Sequence, residues 1–232
     1  MKFASLRLPA SAPRPYASLA EFKLQNQIGE GGFSAVFLAR HLPSGERVAL
    51  KRVDLSKLYP SNQINVEKEL EAHSHFDHRH IVRMLGFFGA ESELFIVLEL
   101  CPTGNLFNFV NRHGLLRLRD VKKVFAQTLS AVSYVHRRGY LVRDLKPENM
   151  LISPTGEIKL CDFGWCAPLD DPEYRRARAG TFAYMSPESL RGELQDEKSD
   201  VWALGILLYE LFIGREPFPG QSHREQLELV LA

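Results

Sequence analysis

The first part of the chain consists of short segments in which apolar residues cluster or alternate with polar ones. Five such segments are bounded by glycine, proline or polar residues, namely KLQNQI, FSAVFLAR, RVALKRV, IVRMLGFF and LFIVLEL. Because successive side chains of a strand point to opposite faces of a sheet, these segments predict five β-strands. Between the third and the fourth, INVEKELEAHSHF has apolar residues at loosely helical spacing and predicts a helix.

After the segment CPTGN the spacing becomes helical. Apolar residues recur three or four positions apart over residues 121–135, which predicts an amphipathic helix that ends near Arg138. The segment DVWALGILLYELFI is apolar on nearly all sides and predicts a buried helix, and short strands are expected at MLI and IKLC. A strand-rich part followed by a helix-rich part predicts two lobes, joined near residues 101–104.

The overall composition argues against several classes of protein. Of the 232 residues, 45% are hydrophobic and 25% are charged, and the net charge of +1 offers no basic field for nucleic acid. No apolar run reaches the roughly 18 residues that a bilayer requires, and the first residues lack the apolar core of a secretory signal. The three cysteines are too few for a disulfide framework. We therefore expect an intracellular protein, in the cytoplasm or nucleus, without a membrane or nucleic-acid partner.

Residues 1–20 are rich in proline, alanine and serine. This composition predicts a disordered tail, and a docking or targeting segment is the alternative. The folded domain is then expected over residues 21–232, with a first lobe over residues 21–100 and a second lobe over residues 101–232.

Two motifs of the first lobe suit the binding of phosphate groups. Gly29, Gly31 and Gly32 lie between two predicted strands, where backbone N–H groups without a neighbouring Cβ atom can approach phosphate oxygens. One hairpin later, the period of a strand places Ala49 and Lys51 on the same face. The alanine leaves room for a flat ring, and the lysine can reach a phosphate. Each motif taken alone also fits an ordinary turn or an exposed lysine.

A loop of the second lobe concentrates charged and amide side chains between two apolar segments. In GYLVRDLKPENM, Asp144 is a candidate base, Lys146 is a cation and Asn149 offers an amide oxygen. In CDFGW, Asp162 follows a predicted strand. Oxygen ligands of this kind suit Mg²⁺, and phosphoryl transfer needs mainly positioning and neutralisation of charge. Each residue alone also fits a turn or a helix cap, but together and in this order they indicate phosphoryl transfer.

The order of these motifs resembles that of eukaryotic protein kinases, over roughly residues 22–232. The motifs are GEGGFSAV, VALK, VRDLKPEN, DFG and SPE. DLKPEN and GTFAYMSPE resemble the serine/threonine type, DFGW and HSHFDHRHIVRMLGFF are most similar to the Aurora group, and VLELC is similar to Polo-type kinases. The resemblance implies an α+β bilobal fold with a small antiparallel sheet in the first lobe. It also implies a helical second lobe, which here is expected to lack its last helices.

The resemblance further implies the catalytic residues. Lys51 would hold the α- and β-phosphates of ATP and pair with a helix glutamate, for which Glu69 is preferred over Glu67 and Glu71. In the second lobe, the implied catalytic residues are Asp144, which would accept or orient the proton of the acceptor hydroxyl, Lys146, which would stabilise the transferred group, and Thr181, which would bind near Asp144. Asp200 would brace the catalytic loop.

ATP and Mg²⁺ are the cofactors that the resemblance implies. Asn149 and Asp162 would hold the metal. The residues implied to contact the nucleotide are Ile28, Gly29, Gly31, Gly32, Val36, Ala49, Lys51, Leu98, Glu99, Cys101 and Leu151. Within this set, Leu98 would be the gatekeeper, and Glu99 and Cys101 would offer backbone groups to the adenine.

The implied function is transfer of the γ-phosphoryl group of ATP to serine or threonine of protein substrates. Glu148 and Glu210 match acids that contact an upstream arginine in basophilic kinases, and Asn105 stands where some of those kinases have a further acid. A mild basic preference is therefore expected. A pseudokinase or ATP-binding scaffold is the alternative. A small-molecule phosphotransferase is disfavoured by the peptide-docking segment GTFAYMSPE.

The activation segment departs from the family pattern. Tyr174 is the only hydroxyl residue between Gly164 and Gly180, although Arg143 normally pairs with a phosphothreonine in kinases of this type. Either the chain needs no such phosphate, or it depends on an activator protein. The acidic residues considered as a substitute charge are Asp170, Asp171 and Glu173. The sequence also lacks the arginine that normally pairs with Glu188, so an unpaired carboxylate is expected there.

Val142 occupies the position of the usual catalytic-loop histidine. Valine can keep an apolar contact with Phe163 but cannot make the hydrogen bond of a histidine, which is worth about 0.5–1.5 kcal/mol. We expect Val142→His to raise kcat about two- to tenfold, because that energy corresponds to such a factor in rate. Steady-state kinetics on one peptide substrate would measure this change. An unchanged or lower kcat would show that the valine is not limiting.

Overall fold

The computed structural model describes residues 16–58, 60–220 and 222–231, except for the side chains of residues 60–65 and 223. These residues form two compact units. The first extends to Asp77 and resumes from Val82 to Pro102, and the second comprises His78–Ile81 and the chain from Thr103 onwards. The boundary after Pro102 lies two residues beyond the predicted one.

The first unit contains a five-stranded antiparallel sheet and one long helix. The strands are β1 (Phe22–Gly31), β2 (Ser34–His41), β3 (Arg47–Asp54), β4 (Met84–Ala90) and β5 (Glu93–Leu98), and helix α1 (Pro60–Ser74) follows β3. Their order in the sheet is β1-β2-β3-β5-β4. All five strands and the helix agree in type with the sequence prediction.

Alternation along the strands creates two apolar layers, one on each face of the sheet. In β5, Phe95 and Val97 belong to a cluster that also contains Val48 and Leu50 of β3. Leu94 and Ile96 belong to the other cluster, together with Val53 of β3 and with Val66 and Leu70 of α1. Ala49 and Lys51 therefore lie on the face of β3 that α1 covers.

The chain is already structured before the predicted start of the domain. Tyr16 packs against Phe22 and His41, with ring centroids 5.3 and 5.1 Å apart, and Leu19–Glu21 form a short 3₁₀ helix. The predicted disorder is therefore wrong for residues 16–20, because Tyr16 and Leu19 pack against an aromatic cluster of the sheet. The rest of the predicted tail, residues 1–15, lies outside the described residues.

The second unit contains six helices and four short strands among its described residues. The helices are α2 (Leu106–His113), α3 (Leu118–Arg137), α4 (Pro172–Arg176), α5 (Pro187–Arg191), α6 (Glu197–Ile213) and α7 (His223–Leu231). The strands are β6 (Tyr140–Leu141), β7 (Met150–Ile152), β8 (Ile158–Leu160) and β9 (Ala167–Pro168), paired β6 with β9 and β7 with β8. Among the described residues, none of the helices has the length and apolar character needed to cross a membrane.

Two expectations for the second unit are corrected. Helix α6 is buried on one side, but Val201, Tyr209 and Phe212 on its other side are exposed, so it is not buried all round. The carboxylate of Glu188 is not unpaired, because Ser199 Oγ donates a hydrogen bond of 2.5 Å to Glu188 Oε1. A neutral hydroxyl is thus one hydrogen-bond partner of this carboxylate.

The aromatic layer of the first unit predicts a large loss of stability when it is truncated. Phe95 is 1% exposed and stacks on Phe88 at 5.0 Å. We expect Phe95→Ala to lower the free energy of unfolding by about 3–5 kcal/mol, because it leaves a cavity in a packed core. Urea denaturation followed by circular dichroism would measure it. Phe33→Ala in the same unit is the matched control, since Phe33 is 40% exposed. Equal losses in both variants would contradict the assigned core.

Candidate active site

Lys51 and Glu69 form a short ion pair within the first unit. Lys51 Nζ donates to Glu69 Oε1 at 2.5 Å, and the two side chains are 16% and 11% exposed. The strand period directs Lys51 towards α1, and α1 carries Glu69, which was the preferred choice among three glutamates. A largely buried pair of this kind fixes the position of the ammonium group, whatever its net effect on stability.

The three candidate glycines lie at the tip of the β1–β2 hairpin. They were predicted to lie between two strands, but β1 continues through Gly31, which pairs with Ser34 across a two-residue turn. A Cβ atom on Gly31 would stand 2.9 Å from Ser34 Oγ, whereas one on Gly32 would meet nothing within 4 Å. A side chain at position 31 would therefore displace the hydroxyl of Ser34, and the backbone at Gly32 is open to a ligand.

The remaining candidates for nucleotide contact in the first unit surround Lys51 on the sheet. In the strand register Val36 is opposite Lys51, and Ala49 is opposite Leu98. Ile28 is exposed on β1. These apolar side chains next to a lysine suit a flat ring attached to phosphates.

The backbone after Leu98 is held in place by Arg83. Glu99 N–H donates to the Arg83 carbonyl at 2.9 Å, and the Glu99 carboxylate accepts from Arg83 N–H at 3.2 Å. Cys101 follows as a buried residue. Leu151, the last nucleotide candidate, is half-buried in strand β7 of the second unit.

Asp144 is the centre of a hydrogen-bond network in the second unit. Thr181 Oγ1 donates to Asp144 Oδ1 at 2.7 Å, and Lys146 Nζ lies 2.9 Å from Asp144 Oδ2 and 2.7 Å from Thr181 Oγ1. Asn149 Nδ2 donates to the Asp144 carbonyl at 2.9 Å and to Oδ2 at 2.8 Å. Asp144 is only 4% exposed. Four residues separated by up to 37 positions are thereby brought together, as the motifs predicted.

Asn149 and Asp162 offer oxygen atoms suited to a hard cation. Asn149 uses its amide nitrogen towards Asp144, which leaves the amide oxygen for another partner. Asp162 is exposed, and Cys161 N–H just before it donates to the Asn149 carbonyl at 2.9 Å. Within the described part of the chain, no three His, Cys, Asp or Glu side chains are grouped to hold a metal. Mg²⁺ usually takes only one or two carboxylates from the protein and keeps waters and phosphate oxygens as its other ligands. One carboxylate, Asp162, and one amide oxygen, that of Asn149, therefore suit it.

Asp200 braces the backbone of the catalytic loop. Its carboxylate accepts hydrogen bonds from the N–H groups of Val142 and Arg143, both at 2.8 Å. His136 Nε2 lies 2.7 Å from the same carboxylate, and this contact was missed by the sequence analysis because no motif distinguishes His136. Val142 and Phe163 are 1% and 0% exposed, respectively, in accordance with an apolar role for the valine.

Arg143 is buried among carbonyl groups of the activation segment. Its guanidinium donates to the carbonyls of Trp165, Tyr174 and Ala177. Burial lowers its pKa from the usual value. Asp171, considered as a substitute for phosphate, accepts from Tyr174 N–H and caps α4. The negative charges of Asp200 and Asp171 act on Arg143 in the opposite sense to burial and raise its pKa. Peptide carbonyls provide its hydrogen bonds, and these two carboxylates contribute negative charge.

The candidate substrate-binding acids differ in their environments. Glu148 is exposed, whereas Glu210 is half-buried and accepts a hydrogen bond from Tyr184 Oη. Burial, and then the charges of Glu148 and Glu216, raise the pKa of Glu210 above its usual value, although the bond from Tyr184 opposes this. Asn105 accepts from Asn108 N–H at 2.8 Å and caps α2.

Comparison with known proteins adds family evidence to this geometry. The family model for the protein kinase domain matches residues 22–231. Maternal embryonic leucine zipper kinase of Xenopus tropicalis is 38% identical over 203 residues, which are 86% of this chain and 31% of that protein. Aurora kinase B of Danio rerio is 32% identical over 225 residues, 97% of this chain and 70% of that protein. The Aurora kinase of Schizosaccharomyces pombe is 36% identical over 203 residues, 87% of this chain and 57% of that protein.

The chain spans about a third of the first relative's length and between 57% and 70% of the two Aurora kinases. The expected similarity to Aurora kinases is confirmed, whereas the leucine zipper kinase was not anticipated from the motifs. Taken together, the family match, the two-unit α+β architecture and the network around Asp144 show that the chain belongs to the protein kinase domain family, with Aurora kinases among its relatives.

Proposed function

We propose that this chain is an active protein kinase, which transfers the γ-phosphoryl group of ATP to serine or threonine residues of protein substrates. The observation that carries the proposal is the Asp144 carboxylate, which is bound at once by Lys146, Asn149 and Thr181. A fixed carboxylate beside an ammonium group and a hydroxyl is the arrangement that proton acceptance and charge neutralisation in phosphoryl transfer need, which supports catalysis over a scaffold role. The alternative, a pseudokinase or ATP-binding scaffold, relies on Val142 and on the lack of Ser and Thr in the activation segment.

In the proposed reaction, Asp144 orients the acceptor hydroxyl and accepts its proton. Each oxygen of a carboxylate can accept more than one hydrogen bond, so the bond from Thr181 leaves capacity for the acceptor. The ammonium group of Lys146 lies next to Asp144 and would neutralise the charge of the phosphoryl group during transfer. Thr181 holds one oxygen of Asp144 in place, and thereby helps to select small aliphatic hydroxyls.

The cofactor assignments follow the family resemblance and fit the local chemistry. Asn149, through its amide oxygen, and Asp162, through its carboxylate, would hold Mg²⁺. When bound, the metal would supply positive charge to phosphate oxygens. In the first unit, Lys51 is held by Glu69 and the backbone at Gly32 is open, as binding of ATP phosphates requires.

The proposed partners are protein substrates, and an activator protein is a further candidate. Glu148 and Glu210 are both in the second unit and their charges interact, which supports a mild preference for basic residues upstream of the acceptor. We place the protein in the cytoplasm or nucleus. The support is that the sequence has three cysteines, too few for the disulfide framework that is typical of small proteins in oxidising compartments.

Replacement of the proposed base tests the function. We expect Asp144→Asn to lower kcat by about 10²–10⁴-fold, because an amide cannot accept the proton. Phosphate incorporation into a basic serine peptide would be measured with Mg-ATP, and nucleotide binding would be checked by calorimetry. Asp120→Asn is the matched control, since Asp120 lies on α3 and pairs with Arg117 at 2.9 Å. Wild-type protein that binds Mg-ATP but turns over no faster than Asp144→Asn would favour the scaffold.

The proposed basic preference predicts a charge and pH effect on substrate choice. We expect Glu148→Gln and Glu210→Gln each to reduce the kcat/KM ratio for arginine over alanine upstream of the acceptor by about two- to fivefold. The pH dependence of this preference is a second test. Burial raises the pKa of Glu210, so it takes up a proton at a higher pH than an ordinary glutamate. The preference for arginine over alanine should therefore decline as the pH falls through this raised pKa, and Glu210→Gln should lack that decline. Glu197→Gln, exposed on α6, is the control. A preference for proline or acidic residues in a peptide array would refute the assignment.

A further inference from the structure

Arg143 is almost wholly withdrawn from water, although it carries a full charge. The residue is 7% exposed, and it stands in the catalytic loop directly before Asp144. In regulated kinases the activation segment becomes ordered when a phosphorylated residue pairs with arginine. Between Gly164 and Gly180 this chain has no Ser or Thr to carry a phosphate, so another group must compensate the buried cation.

The C-terminal end of the short helix α4 supplies part of that compensation. Arg143 Nη1 donates to the carbonyls of Tyr174 at 2.8 Å and Ala177 at 3.2 Å. The Tyr174 carbonyl also accepts from Ala177 N–H at 3.3 Å, and a carbonyl oxygen has two lone pairs, so it can accept from Arg143 as well. Carbonyl groups at the end of a helix carry partial negative charge, which favours a cation. Asp171 starts this helix by accepting from Tyr174 N–H at 2.9 Å, and Pro172 occupies its first position.

The ring of Tyr174 supplies a second part of the compensation for the buried charge of Arg143. Arg143 Cζ lies 4.9 Å from the centre of this ring, a distance at which a guanidinium is attracted to the π-electron face. Arg143 Nε donates to the Trp165 carbonyl at 2.7 Å. Nη2 alone is buried without a hydrogen-bond partner among the described residues. Three carbonyls and one aromatic face thus contact the guanidinium, and the charges of Asp200 and Asp171 add to their effect without any phosphate.

Further polar contacts hold the same segment from its other side. Arg175 donates to the carbonyls of Leu169 at 2.8 Å and Gln195 at 2.7 Å. Gln195 is 1% exposed, and its amide donates to the Ala177 carbonyl at 3.0 Å. The Ala177 carbonyl therefore accepts from both Arg143 and Gln195. The activation segment is thus held by several hydrogen bonds from unmodified side chains, none of which requires a phosphate.

We propose that Tyr174 is a positioning residue, whose ring and carbonyl group hold Arg143 so that the activation segment is ordered and competent without phosphorylation. Tyr174 acts through Arg143 and touches neither ATP nor the acceptor hydroxyl. The proposal rests on the proposed kinase activity, because it concerns how that activity is maintained. Phosphorylation of Tyr174 itself is the competing mechanism, since its hydroxyl is the only one in the segment.

The first experiment compares the full chain before and after treatment with a protein phosphatase. Intact mass would establish that no phosphate remains, and peptide phosphorylation would be measured on both samples. We expect the two samples to agree in kcat/KM within about twofold. A tenfold change in kcat/KM would correspond to about 1.4 kcal/mol in the activation free energy. A tenfold or larger loss that is restored when phosphate returns to Tyr174 would overturn the proposal.

The second experiment separates the ring of Tyr174 from its hydroxyl. Tyr174→Ala removes both and Tyr174→Phe keeps the ring, while Tyr209→Ala is the matched control, because Tyr209 is 40% exposed on α6. Hydrogen–deuterium exchange would be followed in peptides covering residues 165–178. We expect about tenfold faster exchange and about tenfold lower peptide kcat/KM in the alanine variant, with an unchanged KM for ATP. The phenylalanine variant and the control should behave as wild type.

Two outcomes would contradict the role of the ring. Unchanged exchange in Tyr174→Ala would show that the ring does not hold the segment, and equal defects in the phenylalanine and alanine variants would assign the effect to the hydroxyl. Failure of the proposed kinase function has a different signature, because the wild-type protein would then phosphorylate the peptide no faster than Asp144→Asn does. In that case the hydrogen–deuterium exchange data would still decide whether Tyr174 holds the segment. If the alanine variant does not fold, the proposal is decided by the phenylalanine variant and by the comparison of activity before and after phosphatase treatment.

Discussion

The carboxylate of Asp200 fixes the backbone of the catalytic loop, and the chemistry of the second unit depends on that constraint. A buried carboxylate must be satisfied by several donors, and here they are two consecutive backbone N–H groups and the ring of His136. These bonds hold Arg143 at a φ of 66°, a left-handed conformation that costs a non-glycine residue about 1–3 kcal/mol. Because the next residue is Asp144, the direction of the carboxylate proposed as the base follows from this strained turn.

A simpler constraint organises the first unit. The two-residue period of β3 assigns Leu50 to one apolar layer and Lys51 to the face covered by α1. A shift of one residue in the register would exchange them, bury a lysine among phenylalanines and separate it from Glu69. The large apolar layers on both faces thus specify the position of a single ammonium group.

Much of this arrangement could be predicted from the sequence, because it depends on side chains with a recognisable period or order. The five strands, α1, α3 and the pairing of Lys51 with a helix glutamate are of this kind. Helices α2, α4, α5 and α7 were missed, since they have only 8, 5, 5 and 9 residues and are too short to repeat a helical period several times. The exposed side of α6 was missed because hydropathy indicates how apolar a helix is, but not how much of it its neighbours cover. The order of residues 16–20 depends on a contact between Tyr16 and the sheet, which composition does not reveal.

The carbonyl groups around Arg143 show a further reason why some contacts cannot be predicted from the sequence. Every amino acid possesses a carbonyl oxygen, so the acceptors at positions 165, 174 and 177 are specified by backbone path and not by residue identity. Relatives that use these three carbonyl contacts can therefore differ in sequence along much of this stretch and still keep the contacts, provided that the helical turn forms and the ring at position 174 is kept. An alignment would show such a stretch as variable, and a survey of sequence conservation would overlook one of the contacts that keep it folded.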